Sequence, residues 1–167
     1  MSTWKILLPL TMGILLLCSG CVEIECAYLP SSVLLEGWHE NTSLRNTGSQ
    51  FIGLEKWCGN TYEIKGKYPA LLTVNTKKTV MLTAESELER QARETIEGTF
   101  QNAIELVEQA AGSRVIESGH ETRYVVYDGV DWVKNESVHI IGEVWNCAMT
   151  GTSIICIGIA YMKEEEL

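Results

Sequence analysis

The stretch "AESELERQARETIEGTFQNAIELVEQAAG" constrains the fold of this chain more than any other. Leu88, Ala92, Ile96, Phe100, Ala103, Val107 and Ala110 recur at spacings of four and three, the pattern of one apolar stripe on an α-helix. Ile104 and Ala111 widen that stripe, and Glu85, Glu89, Arg93, Glu97, Gln101, Glu105 and Glu108 fall on the opposite side. Glu89 and Arg93 stand four apart in the favourable order, worth a few tenths of a kcal/mol. Gly112 is the expected stop, in the left-handed conformation. The pattern predicts a helix of about 27 residues, roughly 40 Å long. Gly98 in its middle costs up to about 1 kcal/mol relative to alanine and is read as a point of close packing. Ala92, Ala103 and Ala110 suit docking on a sheet.

Strand-like runs flank this segment. Residues 51–57 and 70–75 precede it, with a weaker run at 79–82. After it come 114–118, 122–127, 138–147 and 154–162, all rich in Val, Ile and Tyr. The expected architecture is a single α+β domain over 51–163: an antiparallel sheet with one long amphipathic helix packed on one face. Residues 21–50, which include "HENTSLRNTGSQ", read as a tether or irregular lead-in, and 164–167 as a solvated acidic tail.

The first 21 residues, "MSTWKILLPLTMGILLLCSGC", are a different kind of sequence. A positive start with Lys5 is followed by an apolar run over 6–17, which fits a secretory signal and falls short of the roughly 20 residues of a bilayer span. Ser19 and Gly20 stand directly before Cys21, so this end resembles the lipobox of lipoprotein signal peptides, in which the cysteine after the cleavage point carries lipid. Cys18 departs from the leucine usual at its position. The expectation is a signal peptide over 1–20, a lipid anchor at Cys21 and a domain on the extracytoplasmic side of the cell membrane. An uncleaved anchor and ordinary secretion are the alternatives, and each of them exports the domain.

Export shapes the reading of the cysteines. Beyond Cys18 and Cys21 four remain: Cys26, Cys58, Cys147 and Cys156. An even count outside the cytoplasm suggests disulfides. A four-residue loop over 150–153 would set Met149 against Ile154 and Cys147 directly opposite Cys156. Opposed residues in an antiparallel pair have Cβ atoms about 4.5–5.5 Å apart, within reach of a bridge after slight closing. Cys26 and Cys58 are then the other pair. Alternatively, Cys147 and Cys156 are free, small apolar side chains.

The order of elements in "LERQARETIEGTFQNAIELVEQAAGSRVIES" and "HIIGEVWNCAMTGTSIICIGIAYM" resembles the exported domain of LPP20-type lipoproteins and of the amino-terminal part of the flagellar assembly protein FlgT. The likeness covers about half of the chain. It implies an envelope lipoprotein with a structural or interaction role, and it supplies no catalytic residues to carry over.

Thirteen basic against 22 acidic residues give a formal net charge of -9, which repels phosphate backbones, so no nucleic-acid partner is expected. His39, His120 and His139 lie far apart, and "ESGHET" clusters Glu117, His120 and Glu121 without a recognisable catalytic spacing. No cofactor, metal or enzyme activity is expected, since zinc-type, hydrolase and phosphate-loop patterns are all missing. Trp57, Trp132, Trp145, Tyr124, Tyr127 and Tyr161 read as core or rim, with a ligand groove as the second possibility. Asn41 and Asn135 head N-glycosylation sequons. The leading expectation is a membrane-anchored envelope lipoprotein with a structural or protein-interaction role, for which envelope proteins are candidate partners. A ligand-binding module on the cell surface comes next, and a thiol-dependent redox protein using Cys147 and Cys156 comes third.

Overall fold

The computed structural model describes residues 24–50, 54–66, 69–79, 83–100 and 104–162. The leader, the proposed lipidation at Cys21, the tail over 164–167 and most of the weak strand at 79–82 lie outside the described residues.

The strands are β1 (His39–Glu40), β2 (Asn46–Gln50), β3 (Glu55–Ile64), β4 (Ala70–Thr79), β5 (Ile104–Val115), β6 (Glu121–Asp131), β7 (Glu136–Cys147) and β8 (Thr152–Met162). Among the described residues one α-helix, α1 (Glu85–Phe100), falls between β4 and β5, and a 3-10 turn spans Thr42–Leu44. Among the described residues the strands make one sheet in the order β1-β3-β4-β8-β7-β6-β5, every pair antiparallel. β2 lies beyond β1 along the same flank of β3, opposite Glu55 to Gly59. An antiparallel sheet with a helix on one face is therefore the architecture, and strand outweighs helix so far that the chain is mainly β.

The helix is 16 residues long and the expected 27-residue helix is wrong. Its first half holds: Leu88, Ala92 and Ile96 are buried on the sheet, and Arg93 Nη2 donates to Glu89 Oε1 at 2.9 Å. Its second half is β5, where Ile104, Leu106 and Glu108 oppose Asp131, Gly129 and Tyr127 of β6. The reason is tertiary. As a helix, that segment would leave the edge of β6 unpaired, whereas as a strand it forms a ladder running from Ile104 to Val115 with a bulge between Glu108 and Ala110. Gly112 stops no helix; it lies across from Tyr124. Gly98 packs against nothing, since a Cβ there would meet no atom within 4 Å. The close approach is at Gly142 of β7, where a Cβ would come within 3.1 Å of Ile96 Cδ1.

Register parity assigns the faces. Val125, Tyr127, Val138, Ile140, Val144, Ile155 and Ile157 point to α1 and form the main core with Leu88, Ala92 and Ile96. Tyr62, Leu72, Val74, Ile154 and Cys156 point the other way. There the lead-in covers them, through Ala27, Leu29, Leu34 and Trp38. Buried polar groups on that face hold the lead-in backbone. Thr76 Oγ1 accepts from the Ala27 N–H at 2.8 Å, the Tyr62 hydroxyl accepts from the Leu29 N–H at 2.7 Å, and Asn60 Nδ2 donates to the Ala27 carbonyl at 2.8 Å. The described part of the lead-in is thus a second layer, and from His39 to Gln50 it is largely strand.

Candidate functional site

Among the described residues one disulfide is closed, Cys26–Cys58, with Cα atoms 5.7 Å apart, within the usual range. Cys147 and Cys156 are free, so the bridge expected between them is a misreading. The physical reason is the turn. Cys147 pairs with Thr152, which makes the connection 148–151 and slides the strands away from the register that a 150–153 loop would impose. Cys156 consequently faces Glu143 and Cys147 stands at the end of the hairpin. Their chemistry diverges accordingly. Cys156 packs beside Val74, Ile154 and Trp145, and burial pushes its thiol up to about 12. Cys147 is half-buried; the Thr150 side chain, His120 and the backbone of Thr150 and Met149 hydrogen-bond to it and bring its thiol down to about 7.

The three histidines are all placed against polar partners. His39 Nε2 stands 3.3 Å from Glu63 Oε1, His120 Nδ1 is 3.0 Å from Ser118 Oγ, and His139 Nδ1 is 2.6 Å from Asp128 Oδ1. The β6–β7 ladder ends at Arg123 and Val144, three residues short of His120 and Cys147. Of the sequons, Asn41 Oδ1 accepts from the Ser43 N–H at 3.1 Å, and Asn135 is exposed in the β6–β7 turn at φ 53°.

Three concavities stand out. One groove of about 440 Å³ runs between α1 and β3–β4, with Trp57, Ile155 and Ile157 as apolar wall and Asn75, Lys77 and Gln91 converging on it. A second, of about 330 Å³, lies beside the β5–β6 pair and the β6–β7 turn, lined by Val107, Val130, Trp132, Val138 and Met162, with Asp128 at its rim. The third, of about 420 Å³, opens at Cys147 between the β7–β8 turn and the lead-in. Trp57 and Trp132 thus line grooves, whereas Tyr127 belongs to the core and Trp145 packs under the lead-in. Tyr161 donates to Asp131, and Tyr124 lies under the Arg114 guanidinium.

The second groove sits at the open end of the sheet. β5 has eleven half- or fully exposed residues in succession after Ile104, and nothing pairs with its outer side among the described residues. Val107 is 55% exposed and Trp132 62%. Trp132 is held outward by a built turn: Asp131 Oδ1 accepts from the N–H groups of Val133 and Lys134 at 2.9 and 3.0 Å, and its Oδ2 from the Tyr161 hydroxyl at 3.1 Å. Burial opposes the charge on Asp131, yet these donors hold its carboxyl below the usual range. Among the described residues no three His, Cys, Asp or Glu side chains gather as a metal site, and no helix is long and apolar enough to cross a membrane.

No protein-family model and no curated protein matches the chain. Two solved structures overlay on it. The solution structure of cyanobacterial PsbP (CyanoP) from Synechocystis sp. PCC 6803 does so with a TM-score of 0.42 and 9% identity, over 83% of this chain and 87% of that one. A point mutant of the protein Mog1 does so with a TM-score of 0.38 and 8% identity, over 73% of this chain and 80% of that one.

Proposed function

We propose that this chain is an exported domain, tethered to the cell envelope by lipid on Cys21, which binds an extended segment of another envelope protein along β5. The observation that carries the binding reading is the bare twelve-residue edge of β5 beside the groove formed by Val107, Val130, Trp132 and Met162. An unpaired strand edge offers backbone donors and acceptors to an incoming strand, and a neighbouring apolar pocket takes one of its side chains. The Cys26–Cys58 pair supports an oxidising compartment, and its position five residues after Cys21 suits a domain held close to a membrane. The order of α1, β5 and the β7–β8 pair supports the LPP20-type likeness and an α+β layering, in which the helix segment is followed by a strand and the last two strands pair.

Two experiments test the two halves of the proposal. Cys21→Ser is expected to release the protein from membranes with loss of acyl mass; if the variant stays in the membrane fraction uncleaved, the anchor is wrong. A photo-cross-linking residue at Val107 is expected to give a discrete adduct in the native envelope that Trp132→Ala abolishes. The same probe at Thr42, beside the opposite edge of the sheet, is expected to give none. Equal adducts from both positions would remove the edge-specific reading.

The α1/β3–β4 groove favours a second reading, a small ligand held by Trp57 with Asn75, Lys77 and Gln91. It requires ligand-dependent quenching of tryptophan fluorescence that Trp57→Phe removes and Trp132→Phe keeps.

A further inference from the structure

We propose that the groove between α1 and β3–β4 takes the pyranose ring of a neutral sugar, stacked on Trp57 and held at its edge by Asn46, Asn75 and Gln91. The inference rests on the reading of this groove as a small-ligand site and names the ligand. Its ground is a face of the sheet that the helix leaves uncovered. Leu88, Ala92 and Ile96 seat α1 over β6, β7 and β8, while β2, β3 and β4 run on beside it. Register places two rows of side chains across those three strands on the helix side. One row is Gly48, Trp57 and Lys77; the next, two residues along and about 7 Å away, is Asn46, Gly59 and Asn75. A glycine clears the space in each row. The Trp57 indole fills the place that a Cβ at Gly48 would occupy, so the ring lies along the sheet instead of standing on it. A Cβ at Gly59 would strike the side-chain amides of Asn46 and Asn75, which meet above it. Among the described residues neither amide has a hydrogen-bond partner, and each offers a donor and an acceptor on one fork. Across the groove stand Gln91, Glu94 and Thr95 of α1. Gly98 continues their stripe and a Cβ there would meet no atom within 4 Å, so the helix adds no side chain at that end.

These groups select a ligand with an apolar face, a polar rim and no charge. The face of an indole is electronegative and attracts the C–H groups that a pyranose presents above and below its ring. Equatorial hydroxyls leave that ring in its own plane, where carboxamides beside the indole give and take hydrogen bonds. Charge in the groove is already balanced. Lys77 Nζ stands 3.1 Å from Glu55 Oε1, and Glu94 pairs with Arg90. The lining therefore offers no unpaired cation to a phosphate or a carboxylate. A purely apolar ligand would bury the amides without partners, which opposes its binding. The volume of about 440 Å³ lies within the range of small-molecule sites.

The test is an NMR titration of the purified full-length protein with its Cys26–Cys58 bond intact, read at the tryptophan indole and asparagine side-chain N–H signals. Glucose, cellotetraose, chitotetraose, sorbitol and adenosine are the probes. The sugars are expected to shift the signals of Trp57 and Asn75 and to leave Trp132 in place. Sorbitol carries similar hydroxyls on an open chain without a ring face and is expected to shift neither. Trp57→Ala is expected to weaken sugar binding about tenfold. Because Trp57 also fills the space over Gly48, Asn75→Ala and Gln91→Ala serve as variants that keep that packing, and each is expected to weaken binding about threefold. A tetrasaccharide that binds more tightly than glucose assigns the ring to a glycan chain, and equal affinity assigns it to a free sugar. Sorbitol binding as tightly as glucose, or sugar binding that all three variants leave unchanged, would overturn the sugar site. Adenosine shifting Trp57 while no sugar does so would overturn the sugar class and keep the small-ligand reading. No shift in the groove with any probe would overturn both.

Discussion

The two flanks of the sheet are finished in opposite ways. At the β3 flank, two short strands, β1 and β2, cover the outer edge, the lead-in lies over one face, and the Cys26–Cys58 bond fastens that lead-in to β3. Its buried polar side chains, Asn60 and Thr76, are engaged with lead-in backbone. At the β5 flank a strand of twelve residues has no partner on its outer side among the described residues, its apolar residues Val107 and Val115 face solvent, and a turn built on Asp131 holds Trp132 beside it. Long bare edges are a liability in an isolated domain, and proteins ordinarily blunt them. Here one edge is covered by other parts of the chain, and the other carries only the bulge at Glu108–Ala110 and the charges of Glu105, Glu108 and Arg114 among the described residues. Such asymmetry points to a flank kept for stability and a flank kept for contact.

The largest expected effect lies on the closed flank. Replacing Cys26 and Cys58 together by alanine opens a loop with a sequence separation of 32 residues. Chain entropy alone puts the loss at about 3–4 kcal/mol. Urea denaturation of the oxidised wild type and the double variant measures it, and a change below about 1 kcal/mol would mean the lead-in is held by its hydrogen bonds alone.

On the open flank the largest loss is expected at Asp131. Alanine there removes three hydrogen bonds to part-buried groups, at about 0.5–1.5 kcal/mol for each bond lost. Near-ultraviolet circular dichroism should report loosening of Trp132 alongside the fall in stability. A stable variant whose Trp132 signal is unchanged would show that the turn does not set that side chain.

The contrast between flanks also explains which parts of the fold are legible in the sequence. β6, β7 and β8 alternate side chains at period two and have partners on both sides, so local pattern and final pairing agree. The stretch from Leu88 to Ala111 satisfies a helical period throughout, yet only its first half has a sheet face beneath it. Ile104 and Val107 fit a helix stripe and a strand equally well, and the vacant edge of β6 decides between them. Nothing local announces that vacancy. The hairpin register fails for a related reason: a loop over 150–153 sets Met149 against Ile154, but Met149 is 97% exposed in the turn. That misplacement creates the expected Cys147–Cys156 bridge. The lead-in escapes a reading by composition because backbone groups make many of its contacts, and composition does not reveal those.

A smaller effect tests the strand pairing just inside the open flank. Arg114 of β5 donates through Nε and Nη2 to Glu143 of β7 at 2.8 and 2.6 Å, spanning β6, where Thr122 adds a third hydrogen bond at 2.7 Å. Arg114 holds the Glu143 carboxyl below its ordinary range, against the opposing effect of burial. A lowered carboxyl pKa in the folded state adds stability above the unfolded value of about 4.3, and that stability is lost as pH falls through the folded one. Glu143→Gln should therefore cost up to about 1 kcal/mol at neutral pH, given the exposed arginine. The gap from wild type should narrow below pH ~4, under the unfolded carboxyl value. A gap that stays constant through the acid range would assign the loss to packing.

The smallest expected stability change is the one that most directly tests the division of labour. Val107→Lys alters an exposed side chain on the bare edge, and substitutions of that kind usually stay within about 0.5 kcal/mol. Lysine on an edge is also a common device against strand addition, so the folded domain should tolerate it while an incoming strand should not. Thermal unfolding is expected to be unchanged, and the cross-link from a probe at Gln109, two residues along the same edge, is expected to disappear. If Val107→Lys unfolds the domain instead, Val107 is packed in the native protein and the open flank is only apparently open. If stability and cross-linking both persist, the edge is exposed without being a docking strand, and the asymmetry of the sheet must be explained by the masking of the β3 flank alone.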